Sequence, residues 1–283
     1  MRNPVVLVGS AILLLVLLMG IAAPLLTPLD PAEINPAFRN RAPGAEATMR
    51  GSDGTKIVMR HWMGTDSLGR DVYARVLYGA RASLTVGLSV AVISVAIGLA
   101  IGLVAGYFRW VDAIVMRFMD GLMAIPAILL AIALVSLSSA GLGIVIVAIV
   151  VPEIPRVVRL VRSVVLSIRE EPYVEAAIAL GTRTPLLLVR HVLPNTVAPL
   201  IVQSTYIAAS AILIEAILSF LGVGIPPQTP TWGNIMAEGR TVFRIHPHNI
   251  LYPGLFLALT VLAVNMLGDG LRDALDPRTR RRL

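Results

Sequence analysis

From Val5 to Leu26 the sequence is an almost unbroken apolar run. That is about the ~20 residues a helix needs to cross the hydrocarbon of a bilayer, where every backbone polar group must be satisfied within the segment. A cleaved leader is disfavoured, because signal peptides carry an apolar region of only about 7 to 15 residues and Pro24 after Ala22-Ala23 suits cleavage poorly. Ser83 to Tyr107 is a second run. A polar break from Arg109 to Asp120 then precedes an apolar region, ending at Val151, about twice the length of one crossing. Two spans are expected there, turning near Ser138 to Gly143, where Ser-Ser-Ala-Gly-Leu-Gly supplies turn residues. Thr196 to Phe220 and Ile250 to Leu267 complete the set. The sequence thus predicts an all-α polytopic membrane protein with six transmembrane helices.

Composition agrees and excludes several chemistries. With 56% hydrophobic and 14% charged residues over 283 positions, the chain is too apolar for a soluble domain of its size. It has no cysteine, which removes disulfides, thiolate metal sites and cysteine nucleophiles. The net charge of +7 would suit nucleic acid, but much of the Arg flanks apolar spans, where anionic lipid headgroups are the nearer partner. The basic residues are 23 Arg and one Lys. That Lys, Lys56, stands in Asp-Gly-Thr-Lys-Ile and lacks the glycine frame of a phosphate-binding loop. If ATP is used, another chain hydrolyses it, and this one holds no cofactor.

Arginine also orients the chain. Arg2, the Arg109/Arg117 loop, the arginines from Arg156 to Arg190 and the tail with Arg278, Arg280, Arg281 and Arg282 lie on one side. The positive-inside rule makes that side, with both termini, cytoplasmic. The expected organisation is an N-terminal span over 1–27 and an extracytoplasmic loop with an interfacial helix over 28–82. A five-helix core over 83–268 follows, including a cytoplasmic segment over 169–195, and then a basic tail over 269–283. Within 28–82, Ser52-Asp53-Gly54 suggests a tight hairpin turn. Val72, Tyr73, Val76, Leu77 and Ala80 recur at helical spacing, with Asp66 and Asp71 read as helix caps in preference to calcium ligands, whose loop spacing is missing. Gly98, Gly102 and Gly106 fall at four-residue intervals, a face that permits close helix packing in lipid. Gly222 to Gly233, rich in Pro and Gly, reads as turns and polyproline rather than helix.

The cytoplasmic segment from Glu175 to Asn195 is the most distinctive stretch. Glu170 and Glu171 precede Pro172, a residue suited to a first helical position, and Gly181 suits a left-handed helix end. Thr184 can cap a second helix starting at Pro185, and Pro194 is expected to stop it. Val174, Ala177 and Ile178 share a face, while Ala176 and Gly181 leave room for a neighbouring backbone. The shape is that of a docking plug with no catalytic group. A DNA-reading helix-turn-helix is the competing description, and the compartment disfavours it.

These residues resemble a known family, the membrane permease subunits of bacterial binding-protein-dependent ABC importers. Glu175, Ala176, Ala177, Gly181, Leu193 and Pro194 stand at the spacing of that family's cytoplasmic signature, and His191 to Asn195 is similar to the dipeptide, oligopeptide and nickel branch. Gly64 to Asp71, Leu77 to Leu84, Ile214 to Gly222 and Asn265 to Arg278 look like the second, C-type permease of such systems. The sequence departs from the branch at Glu153-Ile154-Pro155. The resemblance implies the type I importer permease fold and a second homologous permease. It further implies two cytoplasmic ATPase subunits that hold ATP and Mg, an extracytoplasmic solute-binding protein, and residence in the bacterial cytoplasmic (inner) membrane. It implies that Glu175, Ala176, Ala177, Leu180, Gly181, His191, Leu193 and Pro194 form the coupling contact with an ATPase. The expected cargo is a di- or oligopeptide, with nickel or another small solute as the alternative.

Polar residues inside spans are costly and usually face a cavity or a partner, which makes Gln203, Glu215, Asn265 and Glu153 candidates for the translocation path. For Glu215 a structural bond to the partner permease, near the outer end of the fifth span, is an equal reading. Pro226, Pro227 and Trp232 are candidates for contact with the binding protein, although Trp232 and Trp62 also suit interfacial anchors. His246-Pro247-His248 lacks a third ligand and reads as loop rather than metal site. A secondary transporter would need inverted repeats and a charge relay, and an intramembrane hydrolase would need a His within a span; neither pattern is present.

Overall fold

The computed structural model describes residues 4–50, 56–138 and 141–275. Helix α1 (Pro4–Leu26) is apolar all round: Gly9, Val16, Gly20 and Ala23 are buried on one face, and Leu14, Leu18 and Leu25 stay exposed. Strands β1 (Ala45–Arg50) and β2 (Lys56–His61) pair antiparallel, from Ala45 opposite His61 to Arg50 opposite Lys56. The hairpin is therefore present, while its expected turn lies outside the described residues.

Helix α2 (Val72–Tyr107) is one continuous helix of 36 residues, about 54 Å long at 1.5 Å per residue. The separate interfacial helix expected before residue 83 is corrected here. Nothing between Ala80 and Ser83 breaks the backbone, and Val72, Val76 and Ala80 are all fully buried on one stripe. Asp71 caps the helix by accepting the Ala74 N–H at 2.7 Å. Asp66 is not a cap; its carboxylate receives the Leu68 and Arg70 N–H groups and two guanidiniums.

The expected polar break at 109–120 is likewise a helix, α3 (Arg109–Met123), followed after an 86° bend by α4 (Ala127–Ser136). Pro126 precedes α4, consistent with a proline break. The polar face of α3 is occupied: Asp120 accepts from Arg159 at 2.6 Å and Asp112 from Arg162 at 2.7 Å. Both arginines belong to α5 (Leu142–Ile168), which lies along α2. There Val157, Val161 and Val165 fill the positions opposite Gly98, Gly102 and Gly106. Three glycines on one helix and three valines on the other thus make a single close seam.

The chain then runs through α6 (Pro172–Ala179), α7 (Thr184–Leu187), a π turn (Leu188–Val192) and α8 (Leu193–Phe220). Beyond it lie α9 (Trp232–Gly239) and α10 (His248–Leu275). Helix α9 was not expected in the Pro- and Gly-rich loop; Thr231 starts it by accepting the Asn234 N–H at 3.1 Å. The boundary drawn at 268 falls inside α10, and the basic residues beyond Leu275 lie outside the described residues. Four helices (α1, the run from Thr184 to Phe220, α2 and α10) are long and apolar enough to cross a membrane, with a fifth if the bent α3–α4 pair is one span. Helix α5 does not join them by composition, because Glu153, Arg156, Arg159 and Arg162 follow its apolar first half. The six-span count therefore does not rest on length and apolarity alone.

Candidate functional site

The segment between α5 and α8 is built from local rules. Pro172 opens α6 after Glu171, and Gly181, at φ +80°, closes it. The Gly181 N–H donates to Ile178 and the Thr182 N–H to Ala177, the paired bonds of a Schellman cap. A side chain at Gly181 would meet nothing within 4 Å, so glycine is required there for its conformation and not for space. Val174, Ala177 and Leu187 form a small core closed by Tyr107 of α2 and Ile168 of α5. Ile178, which shares a helical face with Val174 and Ala177, stands at the edge of that core and is half exposed.

Pro194 does not end the second helix, which is a correction. Helix continues from Thr184 to Phe220, because the chain widens just before the proline: the Leu193 N–H reaches back five residues to the Leu188 carbonyl. A π turn relieves the crowding of a proline ring against the preceding turn. The His-Val-Leu-Pro-Asn stretch becomes a brace. Asn195 donates to the His191 carbonyl at 2.7 Å and to the Tyr173 hydroxyl at 3.2 Å, and the Tyr173 and His191 rings lie 6.4 Å apart. The start of α6 is thereby tied to the base of α8. Outward, the segment presents apolar side chains to solvent: Leu180 is 86% exposed, Val189 61%, and Tyr173, Ile178 and Leu186 about half. Glu175 and Ala176 share that exposed surface.

The four polar residues expected in the path do not form one cluster. Gln203 and Glu215 lie twelve residues apart on α8, about 18 Å along its axis. Gln203 lines an open cleft of about 730 Å3 with Asn195, Tyr206 and Arg272. Glu215 is fully buried, accepts from Ser219 Oγ at 2.8 Å and leaves Oε2 without a partner. Glu153 is fully buried and accepts from Arg156 at 3.1 Å, and Asn265 is half-buried on α10. Trp232 is corrected as a surface contact. Its ring has no exposed area, and its indole N–H donates to the Val76 carbonyl at 3.1 Å, so it anchors the outer loop from within. Pro227 is exposed and Pro226 half-buried. His248 points to the Thr65 carbonyl, with the His246 ring edge-on at 5.8 Å.

Sequence reading missed a buried ion network beneath that loop. Arg75, fully buried on α2, donates to Asp66 at 2.6 Å and to Glu238 of α9 at 2.5 Å, and Arg70 bridges the same two acids. Two cations meet two acids, which is how buried charge is tolerated. The available signal was Arg75 on an otherwise apolar stripe. Beside the network, buried Asp71 pairs with His61 at 2.7 Å. Burial pushes the Asp71 carboxyl above its ordinary range, opposed by the Ala74 N–H and by His61.

Comparison with known proteins follows this geometry. A family described as binding-protein-dependent transport system inner membrane component matches residues 94–281, and one described as the N-terminal TM domain of oligopeptide transport permease C matches residues 1–43. The "Probable peptide ABC transporter permease protein" of Sinorhizobium fredii is 55% identical over 281 residues, covering 99% of this chain and 91% of that one. The "Dipeptide transport system permease protein" of Alkalihalophilus pseudofirmus is 41% identical over 278 residues, covering 98% and 87%. The "Glutathione transport system permease protein" of Escherichia coli is 45% identical over 221 residues, covering 78% and 73%. Among solved structures, an inward-facing MetNI methionine ABC transporter chain matches with a TM-score of 0.56 at 19% identity, over 71% of this chain and 96% of that one; at that identity the likeness concerns the fold.

Proposed function

The chain belongs to the binding-protein-dependent transport system inner membrane component family, and from that membership we propose that it is the C-type permease of an ATP-driven peptide importer. It forms half of a translocation pathway with a second homologous permease. Two cytoplasmic ATPase subunits, which hold ATP and Mg, drive it, and an extracytoplasmic binding protein delivers the solute. Peptides are favoured over nickel because the relatives are named for peptide, dipeptide and glutathione transport. Both termini and the α6–α7 segment are cytoplasmic on this reading, supported by the arginine distribution.

The observation that carries the proposal is the exposed apolar crest on a stiff, capped turn. Leu180 and Ile178 are presented to solvent by α6 and its cap, outside the apolar spans, and Leu186 and Val189 by the first turns of the Thr184–Phe220 run, which together make an exposed docking surface. Its other face is fastened to the ends of α2 and α5 by Tyr107 and Ile168 and to α8 by the Asn195 brace. An ATPase that grips Glu175, Ala176, Leu180 and Gly181 therefore moves those helices as one body. His191, Leu193 and Pro194 form the base of the lever, with Pro194 exposed beside the crest and part of the same coupling surface. Gln203 and Asn265 are assigned to the path, Gln203 through its open cleft. Buried Glu153 and Glu215 serve packing within this subunit, and Pro226 and Pro227 are the loop residues offered to the binding protein.

The test is Leu180→Glu in the complete complex, reconstituted in proteoliposomes with the binding protein and a dipeptide. Loss of dipeptide-stimulated ATP hydrolysis and of ATPase-subunit co-purification, with the melting temperature of the permease unchanged, is expected. Full coupling in that variant would refute the assignment.

A further inference from the structure

A groove runs between α1, α2, α8 and α10, with a volume of about 650 Å3, inside the ~300–1,000 Å3 of ordinary ligand sites. Its lining is almost wholly apolar, and the two hydroxyls in it are spent: Ser204 donates to the Ile201 carbonyl and Thr205 to the Val202 carbonyl. Nothing in it recognises a polar solute. A second pocket of about 220 Å3 shares Leu17, Leu84 and Leu88 with the groove and extends it to Arg81.

Arg81 sits at the hydrocarbon edge by two independent markers. It precedes the apolar run that begins at Ser83, and it meets α1 at Gly20 and Ile21, near the end of that span. Its guanidinium donates through Nε to the Gly20 carbonyl and through Nη2 to the Ile21 carbonyl at 2.9 Å, and it lies 5.2 Å from the Tyr78 ring centroid. The side chain is exposed, and no carboxylate pairs with it among the described residues. The fork is thus fixed in place with Nη1 free to donate, at a depth where the available anion is a lipid phosphate.

We propose that this groove is a phospholipid site, with an acyl chain lying between α1 and α2 and an anionic headgroup held by Arg81. The bound lipid belongs to the leaflet on the hairpin side. It fastens α1 to α2 and α10 where helix contact leaves a gap, so α1 is held by lipid as well as by protein.

The experiment uses the full-length chain in nanodiscs of equal parts phosphatidylglycerol and phosphatidylcholine, re-extracted gently and weighed by native mass spectrometry. One phosphatidylglycerol should be retained in preference to phosphatidylcholine. Arg81→Gln should lower that preference about tenfold, the loss of one charge-assisted contact, and Arg81→Lys should keep most of it. Ala96→Phe fills the groove without touching Arg81 and should expel the lipid; it carries the test if Arg81→Gln does not fold. Equal retention of the two lipids, or unchanged retention in Arg81→Gln and Ala96→Phe, overturns the proposal. So does lipid bound by the isolated chain but absent from the complex with the second permease, since the groove would then seat a partner helix.

Discussion

Replacing Gly102 by Ala tests the seam between α2 and α5. A Cβ at that position lies 2.7 Å from Val161 Cβ, 2.9 Å from its Cγ1 and 3.0 Å from the Val158 carbonyl oxygen. Ordinary contact begins near 3.4 Å, so the helices must part locally by about 0.7 Å, the difference between 3.4 and 2.7. No rotamer relieves this, because both Cβ atoms and the carbonyl are fixed to backbone. Gly98 and Gly106, one turn to either side, meet Val157 and Val165 just as closely, so the parting loosens three contacts together. A gap of that size forfeits roughly a quarter to a half of the dispersion attraction across it. Overpacking of this kind costs about 1–3 kcal/mol, offset by the better helix propensity of Ala by up to about 1 kcal/mol. The expected net loss is about 1–2 kcal/mol in a dodecyl sulfate unfolding titration of the full chain in mixed micelles, followed by circular dichroism. Val161→Gly removes the opposing Cβ. Alone it also destabilises, yet the double variant should be more stable than the sum of the singles predicts, by about 1 kcal/mol. A Gly102→Ala protein as stable as the parent, or a strictly additive double variant, would refute the reasoning.

Three further outcomes are expected. Gly181→Ala, forced to keep a positive φ, should cost about 1 kcal/mol in the α6 turn, seen as faster amide exchange over 172–182 and weaker peptide-stimulated ATP hydrolysis; unchanged exchange would contradict it. Glu238→Gln leaves Arg70 and Arg75 sharing one acid, and since Glu238 is only 20% exposed and Arg75 is buried, the loss should be on the order of 3 kcal/mol by the same titration. Asp71 has a folded-state pKa raised by burial, so its contribution to stability is complete below about pH 4 and is lost as pH rises through the raised value. Asp71→Asn keeps the helix cap, and its stability relative to the parent should therefore improve as pH rises above about 4; a difference constant with pH would show that the carboxyl is not perturbed.

Much of the molecule was legible because it depends on short-range rules. Apolar run length located four of the six expected spans, and the Gly98, Gly102 and Gly106 interval announced a close helix contact, although not that its partner would be Val157, Val161 and Val165. The α6 turn was readable down to Gly181, since a helix start at proline and a left-handed glycine end need only neighbouring residues. Ile178 at the half-exposed edge of its core was not, because which side of a short helix is covered is decided by Tyr107 and Ile168 from other elements.

The errors share a cause. Pro194 was read as a stop because a proline removes one hydrogen bond, but the chain absorbed it by widening the preceding turn. Trp232 resembled a surface anchor until α2 supplied a buried carbonyl for its indole N–H. Arg75, an anomaly in an apolar stripe, found Glu238 across 163 residues, a pairing no local pattern encodes. The sequence by itself determined where four of the helices are apolar enough to cross a bilayer and how the α6 turn opens and closes, because periodicity and capping act over a few residues. Only the tertiary structure decided which polar groups are spent internally and which stay available, because burial and pairing depend on what distant segments bring alongside.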